Sequence, residues 1–220
     1  MRPGLFRCLA GKVRAGILVA VLLAPLCQAQ WELGGAIGYG LYRNASVYAP
    51  AGKVAAGVRN RFAAGLVVTD DLYEYISGEV RYTYQDGDPF VSAGGVKSNV
   101  QGQSHAIHYD LLFHLRRQNQ RLRPYVAFGV GAKHFVVSGP APVSQPLGES
   151  ALLTTNDETR LLVTAGLGVR YRAWRNVSLR LDFRDYITPF PKSLIAPAPA
   201  GTARGFLQQF TPMFGISYGF

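Results

Sequence analysis

From Trp31 onward, large apolar residues recur at every second position in a series of short stretches. Glycine, proline, asparagine and aspartate separate these stretches. The last one, residues 210–220, has large and mostly apolar residues at its even positions and small or polar residues at its odd positions. Because alternate side chains of a strand face opposite sides, this pattern indicates strands with one apolar face. It predicts an all-β chain.

Eight stretches carry the alternation, at about 31–41, 54–69, 76–84, 104–116, 122–137, 161–172, 177–184 and 210–220. The fourth also fits a helical period, but its clean alternation favours a strand. The links between stretches are alternately long and short. The long links are residues 43–52, 85–99, 138–158 and 188–205, and the short ones are 70–71, 117–121 and 173–176. An even strand count with this alternation is typical of an up-and-down membrane barrel.

The alternation does not say which face points inward, but two features of the faces favour a membrane barrel. Glycines crowd the polar face, and small residues fit the narrow interior of eight strands. The apolar face carries large residues in every strand, with aromatic residues near the strand ends. We therefore predict an eight-stranded antiparallel up-and-down transmembrane β-barrel. The alternative is a soluble lipocalin-like barrel with its apolar face inside.

The first residues have the composition of a secretory signal peptide. A basic segment precedes the apolar residues 15–26, and small residues stand at suitable positions for cleavage after Ala29. We expect residues 1–29 to be removed and residues 30–220 to form the barrel domain. The alternative is a lipoprotein signal at Cys27, which Leu26 fits poorly.

Cleavage after Ala29 would also change the composition of the chain. Cys8 and Cys27 would be lost with the signal, so the exported chain would hold no disulfide. The net charge would fall from +10 to about +6, because four basic residues leave. We expect no nucleic-acid partner for an exported chain.

The alternating strands of residues 30–220 and the final Tyr-Gly-Phe resemble the small OmpA/OmpX-like outer-membrane β-barrel family. The resemblance implies a single barrel in the outer membrane of a Gram-negative cell. It implies outer-membrane lipid and lipopolysaccharide as surroundings and a monomeric state. We expect no periplasmic peptidoglycan-binding domain after Phe220, which departs from the two-domain members of the family. It also implies a terminal assembly signal read by the barrel assembly machinery, formed by Phe214, Ile216, Tyr218 and Phe220.

Charged residues occupy the polar face of the predicted strands. We expect them to form a lumenal network of ion pairs, because buried charges need partners and a small barrel is filled by side chains. Basic residues outnumber acidic ones, so a narrow, anion-preferring channel is the alternative. The residues are Glu32, Arg59, Arg61, Glu79, Arg81, Asp110, Lys133, Arg170, Arg172, Arg180, Asp182 and Arg184.

The sequence offers little for catalysis or metal binding. His108 and Asp110 share a face at about 6.6 Å along the strand, but Ser104 lies about 13 Å from His108, too far for a hydrolase triad. His114 is about 20 Å from His108, which disfavours a shared metal. We predict no catalytic residue, no metal and no cofactor. The predicted role is structural or surface-binding through the long loops, with a channel or a lipid-modifying enzyme as alternatives.

Overall fold

The computed structural model describes residues 31–43, 45–49, 52–140, 145–197, 202–203 and 205–220. The predicted signal segment, with Cys8 and Cys27, lies outside these residues. Across the described residues the chain forms fifteen strands, β1 to β15 in chain order. In this part of the chain, no helix has the length and apolar composition needed to cross a membrane.

Eight long strands close into one antiparallel barrel, in the order β1-β15-β12-β11-β9-β8-β5-β4. The first and last strands pair directly, for example Leu33 with Tyr218 and Ile37 with Phe214. The predicted eight strands and the closure of the barrel are therefore confirmed. The barrel strands are β1 (Trp31–Arg43), β4 (Arg61–Tyr73), β5 (Ile76–Asp86), β8 (Gly102–His114), β9 (Leu122–Val137), β11 (Glu158–Arg172), β12 (Val177–Pro189) and β15 (Phe206–Gly219).

The apolar face of the barrel points outward. Leu66 and Leu181 are each 61% exposed, whereas Glu79, Arg81 and Arg184 are fully buried inside. A soluble barrel would place these side chains the other way round, so the lipocalin-like alternative is excluded. An apolar outer wall is favourable when it contacts lipid, as in a transmembrane barrel.

The two ends of the barrel differ in their links. At one end, here the turn end, short turns join consecutive strands; at the other, the loop end, the long links emerge. The predicted turn at Asp70 and Asp71 is wrong, because β4 continues to Tyr73 and the chain turns at Glu74 and Tyr75. Asp71 stays in the strand because its carboxylate accepts hydrogen bonds from arginines inside the barrel.

The long links, which the sequence indicated only as loops, contain strands and fold into a second unit above the loop end, here called the cap. A five-stranded sheet has the order β14-β2-β3-β6-β7, and β10 pairs with β13. These strands were missed because they are short and interrupted by proline and glycine. They are β2 (Ala45–Ala49), β3 (Gly52–Val58), β6 (Pro89–Ala93), β7 (Val96–Asn99), β10 (Ala151–Leu153), β13 (Ile195–Pro197) and β14 (Thr202–Ala203).

The cap has its own hydrophobic core. The predicted second strand, 54–69, is in fact two strands, with a break at Arg59 and Asn60. Its first apolar residues therefore face the cap interior and not lipid. The buried core residues of the cap and its base are Tyr42, Val47, Val54, Ala56, Val58, Val91, Val100, Phe135, Ala151, Leu153, Phe190, Leu194, Ile195 and Leu207.

Candidate functional site

The middle of the lumen is occupied by one carboxylate among three arginines. Glu79 on β5 accepts hydrogen bonds from Arg81 Nε at 2.9 Å and from Arg184 Nη2 at 3.2 Å. Arg180 donates to its other oxygen. All four side chains are withdrawn from solvent. Because each isolated buried charge would be costly, the group is stable only as a set.

Two further carboxylates complete this central network. Asp182 accepts from Arg81 Nη2 at 3.0 Å and from the Tyr125 hydroxyl. Asp110 accepts from Arg184 Nη1 at 2.8 Å and from Thr164 Oγ1 at 2.5 Å. Each arginine of the network thus contacts at least one carboxylate, and strands from opposite sides of the barrel are tied together across the lumen.

Glycine on the inner face makes room for the central network. A Cβ at Gly129 would lie 1.8 Å from Asp110 Oδ1 and 2.7 Å from Thr164 Oγ1. Any larger residue there would displace the carboxylate that holds Arg184. The glycine-rich inner face seen in the sequence is therefore the space that the charged side chains occupy.

A second charged group fills the turn end. Asp71 accepts from Arg123 Nη1 at 3.0 Å and from Arg170 Nη2 at 2.8 Å. Glu32 lies 3.3 Å from Arg170 Nη1 and also accepts from Ser217 Oγ at 3.0 Å. Sequence reasoning missed Asp71 and Arg123. Arg123 and Lys133 are both at odd positions of β9, so the alternation that placed Lys133 in the lumen could also have placed Arg123 there.

The loop end of the lumen is closed by a lysine among aromatic rings. Lys133 Nζ donates to the Tyr42 hydroxyl at 3.0 Å and to Gln209 Oε1. It lies 5.1 Å from the centroid of the Phe135 ring. Among the described residues, no carboxylate lies within ion-pair distance of this ammonium. The gap beside Lys133 and Tyr186 leaves no room for a water molecule.

Two of the predicted lumenal residues, Arg59 and Arg61, lie outside the lumen, and Arg172 lies at its turn-end mouth beside Glu32 and Asp71. Arg59 is at the break between β3 and β4, and Arg61 pairs at the loop-end rim with Asp86 at 2.9 Å and Asp88 at 2.7 Å. Arg172 donates to the backbone carbonyl of Gln118 at the turn end. The prediction failed for Arg59 and Arg61 because the chain leaves the barrel between β3 and β4. Glu32 is only partly buried at the turn end. The predicted residues found buried inside are Glu79, Arg81, Asp110, Lys133, Arg170, Arg180, Asp182 and Arg184.

Among the described residues, the histidines inside the barrel are not arranged as a Ser-His-Asp triad. His108 Nδ1 lies 3.0 Å from Asp110 Oδ1, and among the described residues no serine hydroxyl bonds to its Nε2. His114 Nε2 contacts Ser77 Oγ at 2.8 Å, and Ser77 Oγ donates to Asp71. The serine therefore lies between the aspartate and the histidine, whereas a catalytic triad has the histidine in the middle. The described residues contain no cluster of three or more metal-ligating side chains.

The sequence matches the family described as "Outer membrane protein beta-barrel domain" over residues 15–203. The chain belongs to this family. It is therefore a bacterial outer-membrane protein, as predicted. In such barrels the short turns face the periplasm, so the cap lies outside the cell.

Solved outer-membrane barrels share this fold. OprG from Pseudomonas aeruginosa has a TM-score of 0.59 at 16% identity, covering 87% of this chain and 96% of OprG. Neisserial surface protein A has a TM-score of 0.50 at 12% identity, covering 87% of this chain and 97% of its own. At these identities the likeness concerns the fold alone. No curated protein matches the sequence significantly.

The predicted assembly signal lies on the outer wall. Phe214, Ile216 and Tyr218 face outward from β15, and Phe220 follows the strand and is highly exposed. The backbone N–H of Phe220 donates to the Trp31 carbonyl at 3.0 Å, which joins the two ends of the barrel domain. Recognition of these residues by the assembly machinery stays a prediction.

Proposed function

We propose that this outer-membrane barrel acts as a monomeric anchor that presents the cap as a binding surface outside the cell. The observation that carries the proposal is a lumen filled with paired charges beneath a cap with its own core. A chain that conducts small molecules needs an open path along the barrel axis. A chain that binds partners needs a stable surface held above the membrane, and the cap, with its own buried core, provides such a surface.

The filled lumen argues against the channel alternative. Arg81, Arg180 and Arg184 cross the barrel at its middle, and their carboxylate partners hold them there. Opening a passage would require those ion pairs to separate in a place with little water. The excess of basic residues noted in the sequence is largely neutralised inside, which removes the reason for expecting anion preference.

The cap has the properties of a binding scaffold. Its sheet rests on buried residues such as Val47, Val91 and Leu194, so its outer strands have fixed positions. At one edge of the sheet, β7 exposes Val96 and Lys97. Binding residues are often carried on connecting segments held by a rigid scaffold. We further propose that the protein is not an enzyme and that its last strand engages the assembly machinery during insertion.

A pair of matched substitutions tests the role of the cap. Val91→Asp places a charge in the cap core, whereas Val96→Asp places the same charge on the adjacent exposed strand. Bacteria that display each form would be measured for adhesion to an immobilised panel of proteins and glycans. We expect adhesion by wild-type cells, with Val91→Asp abolishing it while the protein remains in the membrane. Wild-type cells that adhere no better than cells without the protein would contradict the proposal.

A further inference from the structure

A cleft of about 250 Å³ lies where the barrel rim meets the cap, and its lining includes the buried Tyr42 and Val58. Arg59 and Asn60 line it from the break between β3 and β4, and Phe90 and Lys97 line it from the cap. The Tyr39 hydroxyl, on the outer wall below, donates to the Asn60 carbonyl at 2.9 Å. The cleft therefore lies at the level where the apolar wall gives way to polar groups.

The two cations of this cleft are poorly neutralised. Arg59 Nη1 is 3.6 Å from Asp88 Oδ2, but that same oxygen is held more closely by Arg61, at 2.7 Å. Lys97 lies 4.3 Å from the centroid of the Phe90 ring, and no carboxylate of the described residues is within ion-pair distance of it. Two positive charges facing one cleft at the level of lipid headgroups favour a phosphate ligand.

Below the cleft, the lipid-facing wall has a notch of about 430 Å³ across β1, β4 and β15. Its floor is Gly35, and its sides are Ile37, Ala64, Phe214 and Ile216. Large side chains cover most of the remaining wall, so the notch is a local gap in an otherwise filled surface. Its lining is apolar and would contact hydrocarbon.

The packing of the barrel does not require glycine at the floor of this notch. A Cβ at the neighbouring Gly34 would lie 2.8 Å from Ile216 O and from Ser217 Cβ, so that glycine is needed for the lumen. At Gly35 the nearest atom to an added Cβ would be Gly65 O, at 3.9 Å. A larger residue would fit the backbone and fill the notch. The gap is thus a property of the outer surface alone.

The cleft and the notch are at a spacing that suits one lipid molecule. Asn60 lies four residues before Ala64, at the near side of the notch, and six before Leu66, which pairs with Gly35, so the notch is about 13–20 Å away along the strand. Because the strands of such barrels are tilted by about 40°, this corresponds to a depth of about 10–15 Å. Half the hydrocarbon thickness of a bilayer is about 15 Å. We propose that the protein binds one phosphorylated outer-leaflet lipid, with its phosphate between Arg59 and Lys97 and an acyl chain in the Gly35 notch. This inference goes beyond the proposed role of the cap and does not depend on it.

The test uses the mature protein in mild detergent, with lipid A as the probe and native mass spectrometry as the readout. We expect one retained lipid A per barrel. The double variant Arg59→Gln/Lys97→Gln, which removes both charges, and Gly35→Leu, which fills the notch, should each weaken retention about tenfold. The wild-type protein should retain dephosphorylated lipid A as weakly as the double variant retains lipid A.

Matched controls separate this site from general effects on the barrel. Arg116→Gln removes an exposed charge at the turn end, and Ala165→Leu enlarges an outward residue on β11, across the barrel from the notch. Both should retain lipid A as the wild type does, and a heat-dependent gel shift would show that every variant is folded. Three results would each overturn the proposal: no lipid A retained by the wild type, no effect of Gly35→Leu, or complete displacement of lipid A by inorganic phosphate at equal concentration.

Discussion

The barrel and the cap place their apolar and polar side chains on opposite sides. In the barrel the outside is apolar and the inside is charged, with Glu79 and Arg184 fully buried. In the cap the inside is apolar, with Val47 and Leu194 buried. The difference follows from the surroundings. Burying an apolar side chain away from water lowers the free energy, so the cap has an apolar core, whereas burying it away from lipid brings no such gain, so the barrel keeps its apolar side chains outside.

The change occurs within single strands at the membrane boundary. On β9, Lys133 faces the lumen and Phe135, two residues later, faces the cap core. On β15, Gln209 faces the lumen and Leu207 faces the cap core. Because both members of each pair share an inward parity, the strand geometry is constant and only the chemistry of the inner face changes.

The largest effect should come from the centre of the lumen. Glu79→Gln leaves three buried arginines short of one carboxylate without changing side-chain volume, which should cost about 3–5 kcal/mol of unfolding free energy. Urea unfolding in lipid vesicles measures it. The control, Glu74→Gln, removes an exposed partner of Arg117 and should leave the unfolding free energy nearly unchanged. Equal losses would mean that the central network does not stabilise the barrel.

The next effect contrasts the two outer surfaces. Leu181→Arg places a charge on the lipid-facing wall and should destabilise the barrel by about 2–4 kcal/mol. Leu152→Arg makes the same change on the water-facing surface of the cap and should cost no more than about 0.5 kcal/mol. Unfolding in vesicles compares them, and a cost at Leu152 as large as that at Leu181 would place the cap surface in lipid.

A smaller and more local effect is expected in the cap core. Leu194→Ala should cost the cap about 2–3 kcal/mol by leaving a cavity, while Leu152→Ala on its surface should cost little. Hydrogen exchange should then be faster in β2 and β3 and unchanged in barrel strands such as β11. Faster exchange throughout the barrel would show that the two regions do not behave as separate units.

The smallest effect is expected where the two regions meet. Lys133→Met removes a buried cation that has no carboxylate partner among the described residues and keeps a similar volume. The unfolding free energy should change by no more than about 1 kcal/mol, because the cost of burying the charge is removed together with its hydrogen bonds. A loss above about 3 kcal/mol would show that the ammonium anchors the loop end of the lumen.

The barrel was predictable from sequence because its strands are long and each has one lipid-facing side. Alternation over many residues located all eight, and β9 has the predicted bounds, 122–137. Parity also identified most of the charged residues inside. Arg59 and Arg61 were misplaced because parity continues through the break after Val58, where the chain leaves the barrel.

The cap was not predictable by the same means. Its strands are as short as two or three residues, and pairs such as Ala151 with Pro197 join segments far apart in sequence. Val54 and Val58 have the same pattern as lipid-facing residues, because both kinds of burial place apolar side chains on one face. The role of Asp71 depended on Arg123 and Arg170, from β9 and β11, which the local sequence does not show.

The claim that the lumen is closed is tested most directly by single-channel recording in planar lipid bilayers. Wild-type protein and the cap variant Val91→Asp should both be silent, because the ion pairs around Glu79 fill the barrel whether or not the cap is folded. Steady ion conductance by the wild type would contradict the claim. Conductance that appears only in Val91→Asp would contradict it as well, since it would make the cap the gate of an open passage.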